Sequence, residues 1–199
     1  MTRICFYLLA GYLSGSILYA QIWGRLLCRK DITAGTRDGN PGTANAFMEG
    51  GFLCGMLTLI CDLGKGFVPV WLFLRQTDCA DFALAFVLAA PVLGHIYPLF
   101  HHFQGGKGIA TSFGCLLGLY PSLGCALILA ACFIVFSTIL VVSPHYYRTL
   151  ASYLAAAVIA LLTVKTSAIR WGMLLISGAV SLKLLTCDEK NERCKVKLL

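Results

Sequence analysis

Two stretches of this chain gather residue types suited to holding an anion. The first runs Asp31-Ile-Thr-Ala-Gly-Thr-Arg-Asp-Gly-Asn-Pro-Gly-Thr-Ala-Asn45. Gly35, Gly39 and Gly42, with Pro41, let the backbone turn sharply and present successive N–H groups, a geometry that cradles phosphate oxygens. Asn40 and Asn45 add donors without charge. The same residues are ordinary turn formers, so a plain surface turn is the competing reading. The second stretch ends in Gly105-Gly106-Lys107-Gly108, just before an apolar run. A helix N-terminus favours anions, and Lys107 there is a point charge suited to phosphate. The spacing is not that of a Walker A loop, and a Lys anchoring the loop at lipid headgroup level is the alternative.

His95 closes an apolar run and either hydrogen-bonds a phosphate or positions a loop. His95, His101 and His102 have no carboxylate or Cys at ligand spacing, so neither metal nor cofactor is expected. Asp62 and Lys65 are three apart and share a helix face. Charges inside a membrane mark a function or a pair, and mutual neutralisation is the simpler reading. Gly15 and Ser16 are small enough for close helix contact or for approach to a ligand. No Gly-x-Ser-x-Gly elbow and no His followed by Asp five residues later occurs, so neither a serine hydrolase nor a His-Asp acyltransferase dyad is supported.

These residues must be positioned by elements of an unusual kind. Of 199 residues, 58% are hydrophobic and 13% charged, and the mean hydropathy is +0.80. A soluble domain carries about 25% charged residues, so a water-soluble globule is excluded. The net charge of +7 comes from 16 Lys and Arg against 9 acidic residues. These cations fall between apolar runs instead of forming a basic stripe, which argues against nucleic acid and for membrane topology and an anionic ligand. The ten Cys make no C-x-x-C pair and sit mostly within apolar runs, as small hydrophobes.

About 20 apolar residues cross a bilayer. Spans are expected at Ile4–Gly24, Gly51–Leu74 and Cys79–Phe100. Ile109–Tyr147 holds two more, broken at Tyr120-Pro121-Ser122, and Thr149–Val164 and Ala168–Leu185 complete the set. Ile4–Gly24 is read as a retained span, because Leu18 spoils the small-residue cut near Ala20. The fold class is therefore all-α, a polytopic membrane protein with seven transmembrane helices in one domain, 1–199. Polar loops cover about 25–50 and 101–108, and a charged tail covers 186–199. With the N-terminus outside, the inner side holds Arg25, Arg29, Lys30, Arg37, Lys107, Arg148 and the tail cations. The outer side holds Arg3, Arg75, Lys165 and Arg170, so the N-out, C-in topology follows.

Taken together, the motifs resemble one family, the bacterial integral-membrane acyl-phosphate:glycerol-3-phosphate acyltransferases. The resemblance rests on Gly15-Ser16, on Asp31-Ile32, and on the Gly39, Asn40, Gly42 and Asn45 loop. It also rests on Asp62-x-x-Lys65-Gly66 and on Gly94-His95-x-x-Pro98-x-Phe100 through Gly105-Gly106-Lys107-Gly108-x-Ala110-Thr111. It covers 10–125 well. It implies a multi-pass protein of the bacterial inner membrane with a site at the cytoplasmic face. It also implies acyl phosphate and glycerol-3-phosphate as substrates, membrane lipid as surroundings, and lysophosphatidic acid and phosphate as products.

On that resemblance, Lys107, Asn45, His95 and Asp38 are the candidate catalytic residues. Gly39, Asn40, Gly42, Gly105, Gly106, Gly108, Arg37 and Ser16 are the candidate phosphate contacts. The chain departs from the family pattern at Asp38, where Ser is usual, at Met48 for Arg, at Gln104 for Lys and at Leu18 for Pro. The block usual after the last span is not recognisable in Ser181–Leu199. A small transporter or channel, or a homologue without activity, remains the alternative.

Overall fold

The computed structural model describes residues 2–34, 36, 38–77, 81–186 and 194–198. The charge-free start of the chain does not form one continuous helix. α1 (Thr2–Gly15) stops, Ser16–Leu18 run irregularly, and α2 (Tyr19–Cys28) resumes. Arg29, in the left-handed region at φ 54, ends α2. The polar loop then closes earlier than expected, because α3 (Thr43–Leu74) starts inside it and bends at Gly51, where φ is 77. Glycine adopts that angle without steric cost, so the kink falls there. Asn45 thus stands in the first turn of a helix.

α4 (Ala83–Ile96) follows the third expected span, whose first residue, Cys79, lies outside the described residues. A 3₁₀ turn at Leu99–His101 leads to the Gly105–Gly108 turn. The long apolar run then divides around Pro121 into α5 (Ile109–Leu117) and α6 (Gly124–Ile134), the latter extended by a π turn, Val135–Ile139. α7 (His145–Thr163) and α8 (Ser167–Leu185) complete seven helical passes when α1 and α2 count as one. Among the described residues, five of these passes are long and apolar enough to cross a membrane. α5 is short: its nine residues rise roughly 14 Å, under half of a hydrocarbon core.

Packing is organised around α4, which touches α1, α3, α5 and α8, while α3 also lies along α2 and α5. Large apolar side chains such as Phe6, Phe52, Leu127 and Leu162 remain exposed around the bundle, as a lipid-facing surface requires. Helices in lipid approach through small residues, and here Gly94 of α4 meets the backbone of Tyr12 while Gly114 of α5 meets that of Leu63. Ile32, fully buried with Ala20, Ala46 and Cys54, pins the polar loop between α2 and α3. Part of the charged tail is ordered: β2 (Lys195–Leu198) pairs antiparallel with β1 (Leu140–Ser143), Leu198 opposite Leu140.

Candidate active site

Asp38 and Lys107 come from polar stretches far apart in sequence, yet Lys107 Nζ lies 2.9 Å from Asp38 Oδ2. Two features of the loop hold the carboxylate. The Asn45 side-chain amide donates to Asp38 Oδ1 at 2.8 Å and to the Asn40 carbonyl at 2.8 Å. The Asn40 backbone N–H donates to the same Oδ1 at 3.2 Å. Burial works to raise the Asp38 carboxyl, but the Asn45 amide and then the Lys107 ammonium outweigh it, and the group sits below its ordinary value. Lys107 follows directly on the tight glycine turn, and Gly108, at φ 79, caps α5. The Ser112 N–H and hydroxyl both donate to the Gly108 carbonyl, at 2.8 Å each, and lock that cap.

Two cavities meet at this ion pair. One, of about 820 Å³, is mainly apolar and runs between α3 and α5 past Phe47, Leu59, Leu63, Phe113 and Leu117. The exposed side chain of Met48 also lines it. The other, of about 560 Å³, is polar and is lined by Gln21, Thr33, Gly39, Gln104, Lys183 and Thr186 among others. Asp38, Asn40 and Lys107 line both. An apolar chamber that ends on an ammonium suits a long-chain acid derivative with an anionic head. A polar chamber behind the same ammonium suits a small hydrophilic reactant.

Behind the apolar cavity lies a buried ionic cluster. Lys65 Nζ is 2.7 Å from Asp62 Oδ1, and it lies 2.7 Å from both the Ile17 carbonyl and His95 Nδ1. The ammonium donates to Nδ1, which leaves the ring proton on Nε2. The expected neutralisation of Asp62 by Lys65 is therefore present, and it also joins α3 to the α1–α2 break and to α4.

The structure redistributes several roles expected from sequence. Asp38, Asn40, Asn45, Lys107, Gly42, Gly108 and His95 line the apolar cavity, and Gly39 and Gly105 line the polar one. The amides of Gly105 and Gly106 do not form an anion nest: they donate to the carbonyls of Ile96, at 3.2 Å, and His95, at 3.0 Å. These glycines serve close packing instead, since a side chain at either would run into His95. Ser16 lines neither cavity. Its hydroxyl donates to the Tyr12 carbonyl at 2.8 Å and accepts from the Leu99 N–H at 3.2 Å, so it ties α1 to the turn after α4. Arg37 lies outside the described residues. Lys183 and Thr186, at the end of α8, were not anticipated. A lone cation in the last turn of the last span was the available signal. His145 also lines the apolar cavity and shares a hydrogen bond with Thr149 at 3.1 Å.

Comparison with known proteins agrees with this architecture. A family model described as glycerol-3-phosphate acyltransferase matches residues 5–192. A glycerol-3-phosphate acyltransferase of Syntrophotalea carbinolica is 40% identical over 162 residues, which span 81% of this chain and 79% of the relative. The namesake protein of Pseudomonas paraeruginosa is 43% identical over 120 residues, 60% of this chain and 61% of its own length. That of Burkholderia orbicola is 41% identical over 119 residues, and the match spans 56% of its length. Among solved structures, PlsY (YgiH), an integral membrane glycerol 3-phosphate acyltransferase, superposes in its glycerol 3-phosphate form with a TM-score of 0.78. That match is 24% identical and covers 91% of this chain and 88% of the other, a likeness of fold.

Proposed function

The chain belongs to the glycerol-3-phosphate acyltransferase family, and on that premise we propose that it moves a fatty acyl group from acyl phosphate to the 1-hydroxyl of glycerol-3-phosphate. Lysophosphatidic acid and phosphate are the products. The observation that carries this reading is the boundary shared by the two cavities, where Lys107, Asp38 and Asn40 face both chambers. The acyl chain occupies the apolar chamber between α3 and α5. Its phosphate reaches Lys107, and glycerol-3-phosphate fills the polar chamber, where Lys183 supplies positive charge. Acyl phosphate is a reactive mixed anhydride, so no side-chain nucleophile is needed. Holding carbonyl and hydroxyl in contact, with an ammonium beside the developing charge, accounts for the catalysis.

Asn45 and Asn40 shape the wall that holds Asp38, and His95, fixed by Lys65, supports the glycine turn from behind. The protein sits in the bacterial inner membrane with its N-terminus outside and this site at the cytoplasmic face. The test uses purified protein in detergent with acyl phosphate and labelled glycerol-3-phosphate, following both released phosphate and labelled lipid. Equal amounts of the two products are expected, and Lys107→Ala is expected to lower the rate by about 10²-fold or more. Solute flux in vesicles without any lipid product would favour the transporter instead.

A further inference from the structure

Among the described residues, three line both cavities, and they differ in what they can do with a proton. Asn40 carries an amide and Lys107 an ammonium, whereas Asp38 carries a carboxylate, the one group of the three able to take up a proton at neutral pH. The transferred carbonyl and the attacking hydroxyl meet at this boundary, so the hydroxyl proton is lost there. We propose that Asp38 is the proton acceptor for the attacking hydroxyl, released for that role when the donor's phosphate draws Lys107 away. The inference rests on the transferase reading above.

The two carboxylate oxygens are held differently. Oδ1 is fixed by Asn45, in the first turn of α3, at 2.8 Å and by the loop's Asn40 N–H at 3.2 Å. Oδ2 is held by Lys107 at 2.9 Å. A phosphate reaching the ammonium competes for it with several anionic oxygens. Once Lys107 turns, Oδ2 faces the junction while the Asn contacts keep the carboxylate plane in place. The ammonium no longer stabilises the charged form and burial still opposes it, so the basicity of Asp38 rises as the donor binds.

The step balances without another reactant. The hydroxyl oxygen bonds to the acyl carbonyl carbon, and the bond from that carbon to the bridging phosphate oxygen breaks, its electron pair leaving with phosphate. The proton passes from the hydroxyl to Asp38 Oδ2 and then to the departing phosphate, which leaves as hydrogen phosphate. Asp38 returns to carboxylate and Lys107 to Asp38. Among the described residues, the other ionisable groups on these cavities are Asp62 of α3, His95 of α4, His145 of α7 and Lys183 of α8. Asp62 and His95 are both bonded to Lys65, and His145 to Thr149.

The test is steady-state kinetics across pH on the purified chain in detergent, unaltered and as Asp38→Asn and Asp38→Glu, each checked for thermal unfolding. In Asp38→Asn, kcat is expected to fall about 10²-fold and to lose its acid limb, as removal of a general base does. KM for acyl phosphate should not rise, because the Asp38 charge that competes with the phosphate for Lys107 is gone. Asp38→Glu should recover part of both rate and limb. In the unaltered protein the limb in kcat should lie at higher pH than that in kcat/KM for the donor, since the two report bound and free enzyme. An Asp38→Asn protein as fast as the unaltered one overturns the proposal, because the phosphate then takes the proton unaided. A slower variant that keeps the acid limb overturns it too, leaving Asp38 a positioning group. If Asp38→Asn does not fold, Asp38→Glu and the two limbs decide, and coincident limbs overturn it. An unaltered protein that transfers nothing to glycerol-3-phosphate overturns the transferase reading and this inference together.

Discussion

Lys107 is a buried ammonium whose counter-charge is an aspartate held by neighbouring amides. A buried charge without a partner is costly, so Asp38 keeps the site stable until an anionic ligand takes its place. The sign of its pH effect follows from linkage. Asp38 titrates lower in the folded protein than its ordinary value, so its contribution is complete above the unfolded value and is lost as pH falls through the folded one. Thermal unfolding in detergent should therefore show the unaltered protein ahead of Asp38→Asn from neutrality down to about pH 4, and losing that margin in stronger acid. A margin that widened on acidification would contradict the ion pair. Asn45 was legible as a site residue because Asn lies at a fixed offset from the loop glycines. Its actual task, clamping a carboxylate, was not, because Asp38 and Asn45 come together only once α3 begins at Thr43.

At the level of elements, apolar run length found the helical passes but not their interruptions. Ser16–Leu18 carry no charge, so hydropathy passes over the break that exposes the Ile17 carbonyl to Lys65. The opposite error hid the start of α3, since Thr43–Gly50 is polar and glycine-bearing yet helical. The Gly105–Gly108 turn was legible as tight. That its first two amides are spent on the end of α4 depends on how α4 and the turn pack, which no local pattern records. The α3–α5 contact that walls the apolar cavity makes its own prediction. A Cβ at Gly114 would strike the Leu63 carbonyl, whereas one at Gly64 of α3 would meet nothing within 4 Å. Gly114→Ala should destabilise the protein by about 1–3 kcal/mol, the usual cost of overpacking, and weaken donor binding. Gly64→Ala should do neither, as read by thermal unfolding and KM for acyl phosphate. Equal behaviour of the two would place the α3–α5 crossing elsewhere.

Over the whole molecule, the ends of α4 and α8 and the starts of α3, α5 and α7 bring Asp38, Lys107, His145 and Lys183 to one end of the bundle. That end also carries the chain's tail, where β2 returns to pair with β1 just before α7. On the topology proposed from the distribution of Lys and Arg, this end faces the cytoplasm. A membrane-impermeant thiol reagent should then label the exposed Cys194 of the tail in inverted vesicles and not in intact cells. Labelling of Cys194 from outside would reverse the topology. The proposed arrangement puts donor and acceptor in separate chambers joined at Lys107 and Asp38. It is tested most directly by a structure of the protein with a non-hydrolysable acyl phosphonate and glycerol-3-phosphate bound. The phosphonate is expected within about 3 Å of Lys107 Nζ, the alkyl chain between α3 and α5 beside Leu63 and Phe113, and the polyol in the chamber of Gln104 and Lys183. A phosphonate bound away from Lys107, with the Lys107–Asp38 pair intact and the alkyl chain outside the apolar cavity, would contradict it.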